Sequence, residues 1–107
     1  GSDKYFEKFS LNKKDDGFNS FGDGVYFTDN KNEAKDYGKY LYECEVYIDK
    51  ILDTDKKFKE YDKIRNINKN TTPILIERGY NSLKINKNYH NIYVIFNIED
   101  IKTVKLI

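Results

Sequence analysis

The chain has 107 residues, 35% of them charged, and its 19 basic and 18 acidic side chains leave a net charge of +1. This length suits one small domain, and the near-neutral charge excludes an obvious polyanion-wrapping protein. The apolar fraction is only 38%, but 10 tyrosines and 7 phenylalanines can bury large areas and argue against disorder. No apolar run approaches the roughly 20 residues that span a bilayer.

The charge is divided unevenly along the chain. Residues 1–53 carry 8 lysines and 12 acidic residues (−4), and residues 54–107 carry 11 basic and 6 acidic residues (+5). Two solvated faces would explain this division, and the alternative is a basic side suited to a phosphate-bearing ligand. Gly1 and Ser2 look like a remnant of cloning, so we expect a single domain over residues 3–107. The one cysteine, Cys44, excludes an internal disulfide and fits a reducing compartment.

The first predicted elements follow an irregular opening. Residues 3–24 are rich in Asp, Asn and Gly, and their phenylalanines have no regular spacing, which predicts a loop-like segment anchored by aromatic side chains. Gly24–Phe27 then reads as a short strand of β-favouring residues. A helix is predicted for Asn30–Tyr37, ended by Gly38.

The rest of the chain alternates between strand and helix periods. Tyr40–Ile48 predicts a strand, and Asp53–Asn70 predicts a helix because apolar residues recur at every third position. Thr72 and Pro73 predict the cap and first position of a further helix that ends at Gly79. The remaining expected elements are the strands Ser82–Ile85, Ile92–Phe96 and Thr103–Ile107 and a turn over Ile98–Ile101. This order predicts a mixed α+β domain.

One stretch carries the strongest functional signal. Residues 21–29 read Phe-Gly-Asp-Gly-Val-Tyr-Phe-Thr-Asp, and Gly22 and Gly24 allow a tight turn or the close approach of a ligand. Tyr26 lies on the strand of this motif, and Tyr37 follows one helix later. The two tyrosines could hold a flat aromatic ring between them, or both could fill the core.

This spacing resembles the NAD-binding core of ADP-ribosyltransferases of the poly(ADP-ribose) polymerase and diphtheria-toxin branch. Gly79–Ser82 and Asn91–Val104 are similar to two further segments of small bacterial and phage members. The resemblance covers about Phe6–Val104 and is greatest to the ADP-ribosyltransferase-like domains of polyvalent proteins from phages and mobile elements. It implies a split, strongly bent antiparallel β-sandwich with short helices and a cleft between its sheets.

The resemblance also implies a ligand and the residues that bind it. NAD+ would be the substrate, with Tyr26 and Tyr37 stacked on its cationic nicotinamide ring. Gly22 and Gly24 would keep the pocket wall thin, and Phe27 would be a core neighbour of the site, as would Val25. The implied binding residues are Gly22, Gly24, Tyr26, Phe27 and Tyr37.

Two departures from the family pattern concern its catalytic groups. The family's first strand carries a His-Gly or Arg pair and should lie before residue 6, where nothing matches, so either the given sequence begins after that strand or the chain has lost it. The only histidine, His90, lies in a polar loop and is either a surface residue or a substitute hydrogen-bonding group.

The family's catalytic Glu, which stabilises the oxocarbenium-like transition state, is replaced by Ile92. A shifted register would offer Glu99 or Glu77, each of which is otherwise an ordinary surface acid.

Three functions remain open on the sequence. The first is a mono-ADP-ribosyltransferase domain of a phage, mobile element or toxin, active or degenerate, with Tyr26, Tyr37 and Glu99 as its catalytic residues. The second is a non-catalytic NAD-binding or protein-interaction module on the same fold. The third is a nucleic-acid-associated module that uses the basic second half. We expect a monomer in the cytoplasm, or one delivered into a host cytoplasm, with an unidentified acceptor protein and with no metal, membrane or nucleic acid among its partners.

Overall fold

The computed structural model describes residues 5–11, 21–35, 42–86 and 91–106. Strands alternate with short helices, so the predicted α+β class is confirmed. The described elements are β1 (Tyr5–Ser10), β2 (Val25–Thr28), α1 (Lys31–Lys35), β3 (Tyr42–Tyr47), β4 (Ile51–Asp53), α2 (Phe58–Ile67), α3 (Thr72–Glu77), β5 (Ser82–Asn86), β6 (Asn91–Ile95), a 3₁₀ turn (Ile98–Asp100) and β7 (Ile101–Leu106).

The seven strands form one continuous sheet in the order β4-β5-β6-β2-β1-β3-β7. Neighbouring strands are antiparallel except β4 and β5, which are parallel. The expectation of two separate antiparallel sheets is therefore wrong for the described strands. β6, which is almost wholly apolar, lies inside the sheet between β5 and β2.

The sheet is nevertheless strongly curved, as predicted. Residues 48–50 alone join β3 to β4, although four strands lie between these two in the sheet. In a flat sheet, strands five places apart lie about 24 Å from each other, whereas a connection of four residue steps spans at most about 14 Å. The sheet must therefore curl so that β3 and β4 approach each other. Asn81 bridges the gap, because its side-chain amide donates to the Tyr47 carbonyl at 3.1 Å and accepts from the Lys50 amide at 3.1 Å.

Each face of the curved sheet has its own apolar core. The outer face packs against the three helices through Ala34 of α1, Tyr61 and Ile64 of α2 and Leu75 of α3. The inner, concave face has a smaller core, whose buried members are Phe27, Cys44, Val46, Tyr93 and Ile95. Side chains therefore belong to the helix-covered face or to the concave face according to their alternation along each strand.

The largest disagreement with the sequence analysis lies at the start of the chain. Tyr5–Ser10, expected to be part of a loop-like opening, forms β1 between β2 and β3. The domain therefore has a strand before the glycine motif that the sequence did not predict. β1 was not predicted because its residues do not alternate regularly between apolar and polar. Lys8 and Ser10 lie on the concave face together with Phe6.

The helices begin and end close to the predicted positions. α2 is shorter than predicted, and its terminal residues Phe58 and Ile67 are 62% and 70% exposed, so only its central apolar side chains serve the core. Thr71 and not Thr72 is the N-cap of α3, which places Pro73 at the second helical position. None of the described helices is long and apolar enough to cross a membrane.

Candidate functional site

Tyr26, the first of the two motif tyrosines, lies in the core beneath the helices. Its side chain is 5% exposed, and its ring stacks at 6.4 Å on the partly buried ring of Phe21. The hydroxyl donates to the Gly22 carbonyl at 2.7 Å and accepts from the Phe21 amide at 3.1 Å. Burial raises the pKa of this phenol, and the hydrogen bond from the Phe21 amide opposes that shift. In this structure Tyr26 therefore holds the motif's own backbone.

The same backbone is attached to the start of α3. The Thr71 hydroxyl donates to the Phe21 carbonyl at 2.9 Å, and the Thr72 hydroxyl donates to the Asp23 carbonyl at 2.7 Å. Asn70 adds a reciprocal pair with Asp23, in which its Oδ1 accepts from the Asp23 amide and its Nδ2 donates to the Asp23 carboxylate, both at 2.9 Å. We call residues 21–24 the glycine loop, and these bonds fix it against the helix.

The two glycines of the loop permit close approach to the protein itself. Gly22 has φ +120°, and a Cβ there would lie 2.5 Å from the Thr72 Oγ1. Gly24 has φ +153°, and a Cβ there would lie 2.7 Å from Val94 Cγ1 and 2.8 Å from the Ile95 carbonyl oxygen. The two glycines were expected to allow a tight turn or the close approach of a ligand. Among the described residues, the groups that approach them belong to the start of α3 and to β6.

Ile92, at the position of the family's catalytic Glu, is 5% exposed and belongs to the same core as Tyr26. Its strand partners are Thr28 on β2 and Ile85 on β5, and Thr28 in turn pairs with Phe9 of β1. The row Phe9–Thr28–Ile92–Ile85 thus crosses four strands of the helix-covered face. It contains no carboxylate, imidazole or guanidinium, so it offers no group to stabilise an oxocarbenium-like transition state.

The remaining predicted residues are placed as follows. Glu99 lies exposed in the 3₁₀ turn beyond the C-terminal end of β6, whereas Ile92 lies near the N-terminal end of that strand, and Glu77 is exposed on α3. These positions give no support to a carboxylate that would replace the one missing at Ile92. Phe27 is buried in the concave core as predicted, but Val25, expected beside it in the core, is 37% exposed. Tyr37, Gly38 and His90 lie outside the described residues.

Cys44 is a buried thiol on the concave face. Within the described part of the chain, no three His, Cys, Asp or Glu side chains are grouped so that they could hold a metal ion.

A cleft of about 480 Å³ opens between α3 and the end of β6. Its apolar walls are Ile76, Tyr80, Phe96 and Ile98, of which Ile76 and Ile98 are 54% and 73% exposed. Asp100 also lines it. We call this cleft the outer groove, and it is one of the places where large apolar side chains of the described chain face solvent together.

Comparison with known proteins bears on the fold alone. No protein-family model matches the chain, and no curated protein matches it. Among solved structures, the crystal structure of an anti-CRISPR protein is similar, with a TM-score of 0.56 over 95% of this chain and 97% of that chain. The two sequences are 12% identical, so the shared property is the arrangement of the chain.

A second cleft, of about 200 Å³, lies on the concave face and was not expected from the sequence. Lys8 of β1, Lys84 of β5 and Tyr93 of β6 line it together with Asp53 of β4. These residues come from four strands, so only the curvature of the sheet and the strand register bring them together. No spacing within the sequence marks them as a group.

Proposed function

We propose that this chain has the ADP-ribosyltransferase framework without its transfer chemistry and that it acts by binding another protein. The observation that carries the proposal is the apolar row through Ile92. A transferase needs a carboxylate there to act on the nicotinamide ribose, and an isoleucine enclosed by Thr28 and Ile85 cannot supply it. Because Ile92 is part of the core, we infer that this position contributes to stability and not to catalysis.

The placement of Tyr26 supports the same proposal. Its hydroxyl already exchanges hydrogen bonds with the glycine loop, and its ring is almost fully enclosed. For NAD+ to stack on this ring, the nicotinamide would have to replace the protein groups that now cover it. With the Tyr26 ring covered in this way, the described part of the predicted pocket does not fit NAD+.

The surface for the partner is the outer groove. Its four apolar side chains are of the kind that a protein partner covers, and Ile98 and Ile76 stand at its mouth. Two acidic residues stand at one end of the groove, where Asp100 lines it and Glu99 is exposed beside it, whereas the Lys57 ammonium lies 5.9 Å from the Tyr80 ring on another wall. A segment that carries apolar and basic side chains would complement both properties.

The similarity in fold to an anti-CRISPR protein indicates where such a partner is to be sought. Proteins that handle nucleic acid expose basic surfaces, which would complement Asp100 and Glu99 at one end of the outer groove. We therefore propose a protein component of a CRISPR system as the partner, bound through its basic surface.

The test measures binding and inhibition with purified CRISPR effector complexes. Ile98→Asp should abolish both, because it places a charge among apolar groups that become buried on binding. Phe58→Asp is the matched control, since Phe58 is 62% exposed but does not line the outer groove. The proposal fails if no complex is bound, or if the two variants behave alike.

The transferase remains a second candidate because of the spacing of Tyr26 and Tyr37 in the resembling motif. Incubation with NAD+ labelled in its adenylate part, alone and with the same effector complexes, separates the two functions. Transfer of label that is lost in a Tyr26→Ala variant that still folds by circular dichroism would establish the transferase and overturn the non-catalytic proposal. Binding without label is the result that we expect.

A further inference from the structure

A transverse row of paired residues crosses the concave face of the sheet. Asp53 pairs with Lys84, Lys84 with Tyr93, and Tyr93 with Phe27, so these side chains stand next to one another on four adjacent strands. Lys8 reaches the same place from β1, and its ammonium lies 4.5 Å from the centre of the Tyr93 ring. The Lys84 ammonium lies 6.0 Å from the centre of that ring. Two cations therefore flank one aromatic ring.

The two lysines of the cleft differ in their partners. Lys84 is 3.6 Å from the Asp53 carboxylate and forms an ion pair with it. Lys8 has no ion pair with any residue of the described part of the chain, although it is half-buried. Its burial lowers the pKa of the ammonium, Lys84 lowers it further, and the carboxylate of Asp29 opposes both. The cleft therefore has two lysines and one lining carboxylate, and the desolvation of Lys8 is offset only in part, by the Asp29 carboxylate and the Tyr93 ring.

The walls around the cations are apolar. Ile48 and Ile51 line the cleft on the side of β4, and Phe6, which is 43% exposed, lines it on the side of β1. Burial, with the carboxylates of Asp29 and Asp53, raises the pKa of Tyr93 to about 12, so its phenol stays neutral at ordinary pH. The cleft thus combines an anion-attracting end with a hydrocarbon surface.

We propose that this concave cleft binds a small organic anion, in which one carboxylate or phosphate group is joined to an apolar body. The anionic group lies between the ammonium groups of Lys8 and Lys84, where it compensates the charge of Lys8. The apolar body lies against Phe6, Ile48 and Ile51. At about 200 Å³ the cleft accepts a ligand of the size of a substituted benzene ring and excludes a dinucleotide.

The experiment titrates ¹⁵N-labelled protein with phenyl phosphate, benzoate and inorganic phosphate and follows the amide signals of the strands that carry the cleft. Phenyl phosphate and benzoate should shift those signals, and inorganic phosphate should bind more weakly because it has no apolar body. The ligand class is wrong if inorganic phosphate binds as tightly as phenyl phosphate. The site itself is overturned if none of the three shifts the signals of β1, β5 and β6.

Three substitutions separate a binding site from a structural role. Lys8→Met should weaken phenyl phosphate at least about tenfold, because a charge-assisted hydrogen bond is lost. The control Lys63→Met changes an exposed lysine of α2 and should leave the affinity within about twofold. Asp53→Asn should tighten binding, because it removes the carboxylate that competes for Lys84. Equal effects of the two lysine substitutions, or weaker binding in Asp53→Asn, would overturn the proposal.

This cleft is independent of the proposed protein partner. Ile98→Asp, which should abolish partner binding in the outer groove, should leave the affinity for phenyl phosphate unchanged. If folding of Lys8→Met fails by circular dichroism, Lys84→Met gives the same test from the other side of the ring. Failure of one proposal therefore leaves the other standing.

Discussion

The hydroxyl of Tyr26 donates a 2.7 Å hydrogen bond to the carbonyl of Gly22, four residues earlier in the chain. With the bond that it accepts from the Phe21 amide, this tyrosine closes the glycine loop onto the core. The motif that most resembles an NAD-binding core therefore has a structural role that needs no ligand. Its tyrosine, its glycines and the threonines of α3 together fix the loop.

The first prediction concerns that hydroxyl. Tyr26→Phe should lower the free energy of unfolding by about 1–3 kcal/mol, because a buried carbonyl and an amide lose their common partner while the ring stays in place. Tyr47→Phe is the control, since Tyr47 is only partly buried and its hydroxyl has no hydrogen bond to the described residues. Urea denaturation of both variants and the parent measures the difference. Equal losses would show that the ring, and not the hydroxyl, fixes the loop.

The second prediction separates steric contact from backbone strain. Gly22 and Gly79 both have positive φ, +120° and +91°, but a Cβ at Gly22 would meet Thr72 Oγ1 at 2.5 Å and a Cβ at Gly79 would meet nothing within 4 Å. Both alanine variants bear the strain of positive φ, on the order of 1–3 kcal/mol. Gly22→Ala should be the less stable of the two because it also pushes α3 away from the loop. Thermal unfolding of the pair tests this, and the contact argument fails if Gly79→Ala loses as much.

The third prediction restores the missing acid. Ile92→Glu should destabilise the protein by about 3–5 kcal/mol, since it places an unpaired carboxylate in an apolar row, and it should give no transfer of ADP-ribose. Ile98→Glu is the control for the change in side chain, because Ile98 is 73% exposed and the substitution there should cost little. Denaturation and a labelled NAD+ assay are run on both. ADP-ribose transfer by a folded Ile92→Glu variant would show that the rest of the catalytic site is intact.

The sequence predicted the elements that have a strong local signal. β6 is almost wholly apolar, α3 has a proline in its first turn, and the glycine motif precedes a strand of β-favouring residues. Each of these elements can therefore be recognised from a few consecutive residues. β1 and β4 gave no such signal. β1 mixes charged and aromatic residues and is stabilised by its partners on both sides, and β4 has only three residues.

The candidate sites show the same division between local and long-range information. A motif resemblance marked Tyr26 and Ile92, but it could not show that the tyrosine is enclosed and hydrogen-bonded to its own loop. Lys8 is far from Lys84 and Tyr93 in the chain, and the three residues share no motif. Only the register of four strands and the curvature of the sheet place their side chains around one cleft.

The fourth prediction uses two buried serines on strands. The Ser10 hydroxyl has no hydrogen-bond partner among the described residues, whereas the Ser82 hydroxyl donates to Asn81 Oδ1 at 3.1 Å. Ser10→Ala should leave the free energy of unfolding unchanged or raise it by up to about 1 kcal/mol, because it removes an unsatisfied buried group. Ser82→Ala should lower it by about 1 kcal/mol. Urea denaturation decides, and a larger loss in Ser10→Ala would reveal a partner for its hydroxyl.

The fifth prediction follows the phenol of Tyr93 through alkaline pH. Burial, with the charges of Asp29 and Asp53, raises its pKa to about 12, above the value of about 10 for an exposed tyrosine. The folded state therefore favours the neutral phenol, so this contribution to stability is complete below pH 10 and is lost as the pH rises from about 10 to 12. Tyr93→Phe removes the titrating group, so its unfolding free energy should fall less steeply over that range than that of the parent or of Tyr47→Phe. The ultraviolet absorbance of phenolate should also lose one titration step, near pH 12, in Tyr93→Phe, whereas the step of Tyr26, whose pKa burial also raises, should remain. If Tyr93→Phe instead loses a step near pH 10, Tyr93 ionises with the exposed tyrosines, and water reaches the base of the concave cleft.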